Sequence, residues 1–199
     1  MVYDLTESRS GQHCRTFLGD WQSKLIYDDY AGYKACFDQG ITVLGCMAHA
    51  RRKFFEVFAS NKSPVAGHAL DSIKALYRIE RKAGRLKADD RRRLRQKRAV
   101  PILDALHVWL KQQRELVPPG SAIANAIGYS LRRWQALTRY VDDGHAVIDN
   151  NYCENLVRPV ELGRKNWLFA GSLRAGQRAA AVMSLIQSAV LNGHDPYAS

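Results

Sequence analysis

Two acidic residues occupy positions where a metal-dependent site could form. Asp28 follows a short apolar run, Leu25 to Tyr27, that is typical of a strand, and Glu154 lies in the first turns of a predicted helix. Sites in α/β sheets form beyond the carboxyl ends of the strands. Carboxylates brought together there would supply the hard oxygen ligands of Mg²⁺ or Mn²⁺, and two such ions support phosphodiester chemistry. The alternative is a surface aspartate and a Glu154–Arg158 ion pair one helical turn apart, and spacing alone favours it.

The four cysteines lack the regular spacing of a disulfide framework. They are Cys14, Cys36, Cys46 and Cys153. Cys46 and His49 have the spacing of half a zinc site, but no second pair in the sequence has comparable spacing. We therefore expect free thiols, with Cys46 at the end of a buried strand.

The charge of the chain is strongly unbalanced. Its 199 residues include 30 Lys and Arg against 19 Asp and Glu, which gives a formal net charge of +11 and a pI near 9.7. This balance indicates a polyanionic partner, with nucleic acid the first candidate and an anionic membrane surface the second. Basic density peaks between Arg78 and Arg98, where Arg91, Arg92 and Arg93 could contact DNA phosphates or form a solvated helical face.

The sequence has no stretch of roughly 20 apolar residues, the length that a membrane-spanning helix requires. Its first residues, MVYDLTESRSGQ, lack the apolar core of a signal peptide. We expect a cytoplasmic protein without a membrane partner, associated with the nucleoid if DNA is what it binds.

The apolar pattern predicts an α/β layer in the first sixty residues. Strands are predicted at Val2–Leu5, at Leu25–Tyr27 and at Ile41–Cys46, the last buried on both faces. Helices are predicted from His13 to Leu18 and from about His49 to Phe58. Alternating strands and helices are typical of α/β proteins.

From Pro64 to about Val141 the pattern predicts helices alone, which indicates an α-helical insertion. Pro101 should bend or divide one long helix, Asp89 to Leu116, and Ser121 should cap the next.

After Gly144 the pattern returns to mixed elements. Asp149 or Asn150 should cap a helix that Pro159 ends or kinks. A strand-like run, Trp167 to Phe169, precedes a final helix from about Gln177 to Asn192.

Six blocks of the sequence resemble, in the same order, the DDE transposases of the insertion-sequence family sixty-six. The blocks are SRSGQH (8–13), DDYAGY (28–33), CMAHARRKFFE (46–56), IDNNYCENLVRP (148–159), GRKNWLFAGS (163–172) and LNGHDP (191–196). Several blocks of this length are more specific than any single motif. With the helical segment between them, the resemblance covers essentially the whole chain.

The resemblance implies a partial ribonuclease-H-like α/β fold, in which a mixed sheet flanked by helices is interrupted by a large α-helical insertion. Residues 1–62 would form the first part of the catalytic core, residues 63–145 the insertion, and residues 146–199 the closing part with the glutamate helix. The implied function is metal-dependent DNA cleavage and strand transfer during transposition of a bacterial insertion sequence. Two Mg²⁺ or Mn²⁺ ions would be the cofactors.

The resemblance also assigns roles to residues. The second catalytic aspartate of the family matches Asp28, because the following Tyr30–Tyr33 fixes the register, and the catalytic glutamate matches Glu154. Both would be metal ligands. The helix that carries Glu154 would be capped and oriented by Asp149, Asn150 and Asn151. Phosphates could be held by Arg158, Arg164 and Lys165, although each of these could equally be an exposed charge.

The sequence departs from the family pattern at three positions. The family's first catalytic aspartate precedes the SRSG block by some distance, but this sequence begins at Met1 only a few residues before that block, so no residue matches it. Asn155 stands where arginine is usual, and Cys153 is also unusual. We therefore expect a truncated catalytic region that lacks early strands and is inactive by itself.

Three functions remain open from the sequence. The first is the transposase, an oligomer when active, whose partners would be transposon ends, target DNA, full-length transposase and accessory proteins of the element. The second is a non-catalytic DNA-binding remnant or regulator. The third is a basic RNA-binding protein, for which the sequence shows no aromatic stacking platform.

Overall fold

The structure, a computed structural model, describes residues 2–8, 10–27, 33, 40–164 and 171–196. In these ranges the chain is an α/β protein dominated by helices, with one two-stranded parallel sheet. It divides into two compact units. The larger unit is formed by Trp21–Tyr30 and Phe37–Asn150, and the smaller unit by Met1–Asp20, Ala31–Cys36 and Asn151–Ser199. The three-part division at residues 62 and 145 stays a prediction.

The larger unit contains the sheet and most of the described helices. Its elements are β1 (Lys24–Tyr27), β2 (Thr42–Gly45), α2 (Met47–Asn61), α3 (Pro64–Ala83), α4 (Ala88–Arg98), α5 (Val100–Leu116), α6 (Ala122–Arg132), α7 (Trp134–Thr138) and a 3-10 helix (Arg139–Asp142). The smaller unit contains α1 (Gly11–Leu18), α8 (Asn151–Arg164) and α9 (Leu173–Leu191). The positions of the predicted strands in the larger unit and the helical character from Pro64 to Val141 are confirmed. The prediction that the second strand is buried on both faces is wrong at Thr42, which is exposed.

The two strands of the sheet run parallel, with Lys24 opposite Thr42 and Tyr27 opposite Gly45. Their carboxyl ends therefore lie at the same edge of the sheet. Helix α7 packs closely on β2, because a Cβ atom on Gly45 would lie 3.0 Å from the backbone nitrogen of Leu137. Cys46 follows β2 and is 1% exposed, which confirms its predicted position at the end of a buried strand.

One apolar core of the larger unit joins β2 to helices α2, α3, α5, α6 and α7. Its most deeply buried large apolar side chains include Phe54, Ile73, Leu76, Leu110 and Ile127. Burial of such side chains is the main favourable contribution to folding, worth about 1.5–3 kcal/mol for each.

Predicted helix boundaries in this unit follow from local chemistry. The long basic helix is divided at Ala99, and Pro101 lies in the first turn of α5, where a missing backbone N–H costs nothing. Ser121 caps α6 by accepting a hydrogen bond from the backbone N–H of Ala124 at 3.2 Å. Both predictions are confirmed.

A buried arginine joins α4 to two other elements of the larger unit. Arg95 donates to both carboxylate oxygens of Glu80 on α3, through Nε at 2.9 Å and Nη2 at 2.6 Å. Its Nη1 atom donates to the carbonyl oxygens of Tyr140 at 2.9 Å and Asp143 at 2.6 Å. The guanidinium is therefore satisfied at a position where an unpaired charge would be costly.

In the smaller unit, Val2–Leu5 is not a strand, so that prediction is wrong. The backbone N–H of Tyr3 donates to Ser184 Oγ on α9 at 2.8 Å, and its hydroxyl donates to the carbonyl oxygen of Leu156 on α8 at 2.5 Å. The segment thus bridges two helices, and the backbone N–H of Tyr3 finds a side-chain partner in place of a neighbouring strand.

Helix α8 runs through Pro159 to Arg164, so the proline does not end it. Pro159 lacks a backbone N–H and so removes one hydrogen bond, a loss that a 14-residue helix can sustain. Helix α9 begins after Ser172, whose hydroxyl accepts from the N–H of Ala175 at 3.2 Å, and Gly193 follows it with a φ of 77°. The predicted strand-like run at 167–169 lies outside the described residues.

Candidate metal and phosphate site

Glu154 lies in the first turn of α8 and is partly buried. A carboxylate in this position interacts favourably with the positive end of the helix dipole. The predicted helical position of Glu154 is confirmed, and its role as a metal ligand stays a prediction. Arg158 is exposed one turn further along the same helix.

Three predicted site residues are less fully described. Asp28 follows the last residue of β1 in the sequence and lies outside the described residues, as does Lys165. Arg164 is the last residue of α8. Their roles in binding metal or phosphate therefore stay predictions.

The segment just before α8, Ile148–Asn150, is held at the carboxyl end of β2. The backbone N–H of Met47 donates to the carbonyl oxygen of Ile148 at 3.0 Å. The Cys46 thiol donates to Asn150 Oδ1 at 2.8 Å. Because burial raises the pKa of Cys46, the thiol keeps the proton that this hydrogen bond requires.

Tyr77, on α3, provides a second anchor for the same segment. Its hydroxyl donates to Asp149 Oδ2 at 2.6 Å. Burial, strengthened by the hydrogen bond and negative charge of Asp149, raises the pKa of Tyr77, so the hydroxyl remains a donor at neutral pH. Asp149 and Asn150 were predicted to orient the glutamate helix. Their contacts with Tyr77 and Cys46 fix these two residues within the larger unit, and their role in orienting α8 stays a prediction.

These anchoring partners were not predicted from the sequence. Tyr77 lies in the apolar stripe of α3 beside Ile73 and Leu76, and that pattern indicates only a core residue. Its phenolic oxygen was the one available signal, because a buried tyrosine hydroxyl usually has a hydrogen-bond partner.

Removing the Tyr77 hydroxyl should weaken the contact with Asp149 without creating a cavity in the core. We expect Tyr77→Phe to lower the free energy of unfolding by about 1–3 kcal/mol, because Asp149 loses a partly buried donor. Urea denaturation followed by circular dichroism would measure the change.

Tyr140→Phe is the matched control for this experiment. The Tyr140 hydroxyl is buried and has no hydrogen-bond partner among the described residues, so its removal should be neutral or stabilising. Equal losses of stability in the two variants would contradict the anchoring role of Tyr77.

The three arginines that were predicted to contact DNA have different surroundings. The guanidinium of Arg91 is partly buried and donates to three backbone carbonyl oxygens, those of Ala83, Gly144 and Leu86. Arg92 and Arg93 are exposed on the other side of α4. Arg91 thus has a structural role that its neighbours do not share.

Among the described cysteines, Cys14, Cys46 and Cys153 are free thiols, as predicted. Cys36 lies outside the described residues. In the part of the chain that the structure covers, no helix is both long and apolar enough to cross a membrane.

Comparison with known proteins identifies the family. The family model described as "Transposase IS66 family" matches residues 1–178. The uncharacterized proteins y4hP and y4jD of Sinorhizobium fredii are each 35% identical to this chain, over 99% and 98% of its length, and y4qI of the same organism is 32% identical over 98%. The chain spans 39%, 40% and 38% of the lengths of these three relatives. No solved structure matches it. The chain therefore belongs to the IS66 family of transposases.

Proposed function

We propose that this chain, or the longer polypeptide to which it belongs, cuts and joins DNA with Mg²⁺ or Mn²⁺ during transposition of a bacterial insertion sequence. The family match over residues 1–178 carries the proposal, because it includes both Asp28 and Glu154. The formal net charge of +11 is consistent with a DNA substrate.

Asp28 and Glu154 are the proposed metal ligands. Carboxylate oxygens are the hard ligands that both ions prefer. An ion held by these carboxylates would supply activation of a water molecule or a 3′-hydroxyl and stabilisation of the leaving oxygen of a phosphodiester. The contribution of Glu154 is a negative charge in the first turn of α8.

Arg158 is the proposed phosphate contact on α8. Its guanidinium is exposed and lies one turn from Glu154, so a phosphate oxygen could accept hydrogen bonds from it. Arg164 and Lys165 are proposed for the same role from their positions in the sequence. The proposal also includes a ribonuclease-H-like arrangement of the catalytic core and an oligomer that binds the transposon ends and the target DNA.

The proposal is tested with the longer polypeptide, because the chain by itself is expected to be inactive, and with DNA that carries the ends of the insertion sequence, incubated with Mn²⁺, Mg²⁺ or EDTA. We expect cleavage at the ends with either ion and none with EDTA. Asp28→Asn should remove cleavage, whereas the matched change Asp29→Asn should preserve it, because only Asp28 matches the family's aspartate. Cleavage by Asp28→Asn, or in EDTA, would contradict the proposed site. DNA binding without cleavage under any of these conditions would favour the non-catalytic alternative.

A further inference from the structure

Helix α4 presents two faces with different chemistry. Six of its 11 residues are arginine or lysine, and its first turn also contains Asp89 and Asp90. On the inner face, Arg91 and Arg95 donate to backbone carbonyl oxygens and to Glu80, as described above. These two side chains are occupied in holding the larger unit together and are not available to a partner.

The outer face has exposed cations that the other described residues scarcely neutralise. Arg92, Arg93 and Lys97 are all exposed. Neither Arg92 nor Lys97 makes an ion pair or hydrogen bond with the described residues. The Nη1 atom of Arg93 lies 3.7 Å from Oδ1 of Asp90, but both side chains are more than half exposed, so this ion pair contributes little to stability.

These cations line an open cleft of about 650 Å³ with Gln96 and Asp142. The Asp142 carboxylate is the acidic group in this lining, and Gln96 Nε2 donates to its Oδ1 atom at 2.8 Å. Gln96 Nε2 also lies 3.0 Å from the carbonyl oxygen of Val141, and these contacts tie Asp142 to the wall of the cleft. The lining therefore retains an excess of positive charge.

We propose that Arg92, Arg93 and Lys97 form a contact surface for the phosphate backbone of duplex DNA. The identification of the polyanion as DNA rests on the proposed function. Positions 92, 93, 96 and 97 recur with the helical period and share one side of α4, so the cations form a row rather than an enclosed pocket. A row of exposed cations suits an extended polyanion. It contacts phosphates without reading base edges, so its contribution should not depend on DNA sequence.

The test is the salt dependence of binding to a fluorescein-labelled random-sequence DNA duplex, followed by fluorescence anisotropy. The test variant combines Arg92→Gln, Arg93→Gln and Lys97→Gln, because glutamine removes the charge and keeps good helix propensity. The matched control combines Lys74→Gln, Lys111→Gln and Arg132→Gln, which removes the same charge from exposed positions on α3, α5 and α6.

We expect the slope of log K against log salt concentration to become shallower by roughly 2 to 3 in the test variant, close to one for each lost phosphate contact. The control should keep nearly the parent slope. Arg92→Lys combined with Arg93→Lys should also keep it, because a lysine retains the charge. If the triple variant does not fold, the single glutamine variants should each reduce the slope by about one.

The possible results distinguish a failure of this surface from a failure of the proposed function. A parent that binds DNA, with equal slopes in the test and control variants, would overturn the surface and leave DNA as a partner through other residues. A parent that does not bind DNA even at low salt would overturn the proposed function and the surface together.

Discussion

Replacing Glu154 by glutamine is expected to reduce metal-dependent DNA cleavage by roughly a thousand-fold or more, about 4 kcal/mol in activation free energy. Glutamine keeps the shape and the helix propensity of glutamate but loses the negative charge that binds a divalent ion. Because the change lies on an already formed helix, α8, the fold should be preserved.

The rate of strand cleavage at saturating Mn²⁺, with the change made in the longer polypeptide, is the measurement for this variant. Glu115→Gln is the matched control, since it makes the same chemical change at an exposed position near the end of α5 and should cleave like the parent. DNA affinity should be nearly unchanged in both variants, because the proposed phosphate contacts come from cationic side chains. A Glu154→Gln protein that cleaves at the parent rate would remove this residue from the site.

The second large effect is expected on stability, from Arg95→Ala. This change should lower the free energy of unfolding by about 3–5 kcal/mol, because it leaves the Glu80 carboxylate without its partner in a mostly buried position. The side chains of Arg95 and Glu80 are 2% and 13% exposed. The carbonyl oxygens of Tyr140 and Asp143 would lose a donor as well.

Arg93→Ala is the control for this loss of stability. Its partner Asp90 is exposed, so the change should stay within about 0.5 kcal/mol of the parent. Both variants would be unfolded in urea and followed by circular dichroism. A third variant, Arg95→Met with Glu80→Leu, should recover much of the loss, since apolar residues of similar volume can replace a buried ion pair. Similar stabilities of Arg95→Ala and Arg93→Ala would contradict the structural role of Arg95.

Helices and strands of the larger unit were largely predictable because their signals are local. The β-branched run that contains β2, the proline at the start of α5 and the serine before α6 each act within a few residues. The Val2–Leu5 strand was predicted wrongly because alternation cannot show that Tyr3 finds its partners on α8 and α9, more than 150 residues away. Pro159 failed as a stop signal because a helix can lose one donor and continue.

Which arginines of α4 are buried and which are exposed could not be predicted from the sequence. Arg91, Arg92, Arg93 and Arg95 are chemically identical, and only their neighbours distinguish them. Glu80, which pairs with Arg95, is 15 residues away in the sequence, and the carbonyl oxygens that Arg95 binds are 45 and 48 residues away. The same limit applies to Tyr77 and Asp149, which are 72 residues apart. The resemblance to a family selected Asp28 and Glu154, whereas their spacing alone favoured an ordinary surface acid and an ion pair.

Binding of Mn²⁺, measured by electron paramagnetic resonance, tests most directly whether Asp28 and Glu154 hold a divalent ion. The parent, Asp28→Asn, Glu154→Gln and the double variant would be titrated under identical conditions. Each single variant should bind Mn²⁺ more weakly than the parent. The double variant should lose less binding free energy than the two singles combined, because ligands of one site are coupled. Unchanged Mn²⁺ affinity in either single variant, or additive losses in the double variant, would contradict a shared metal site.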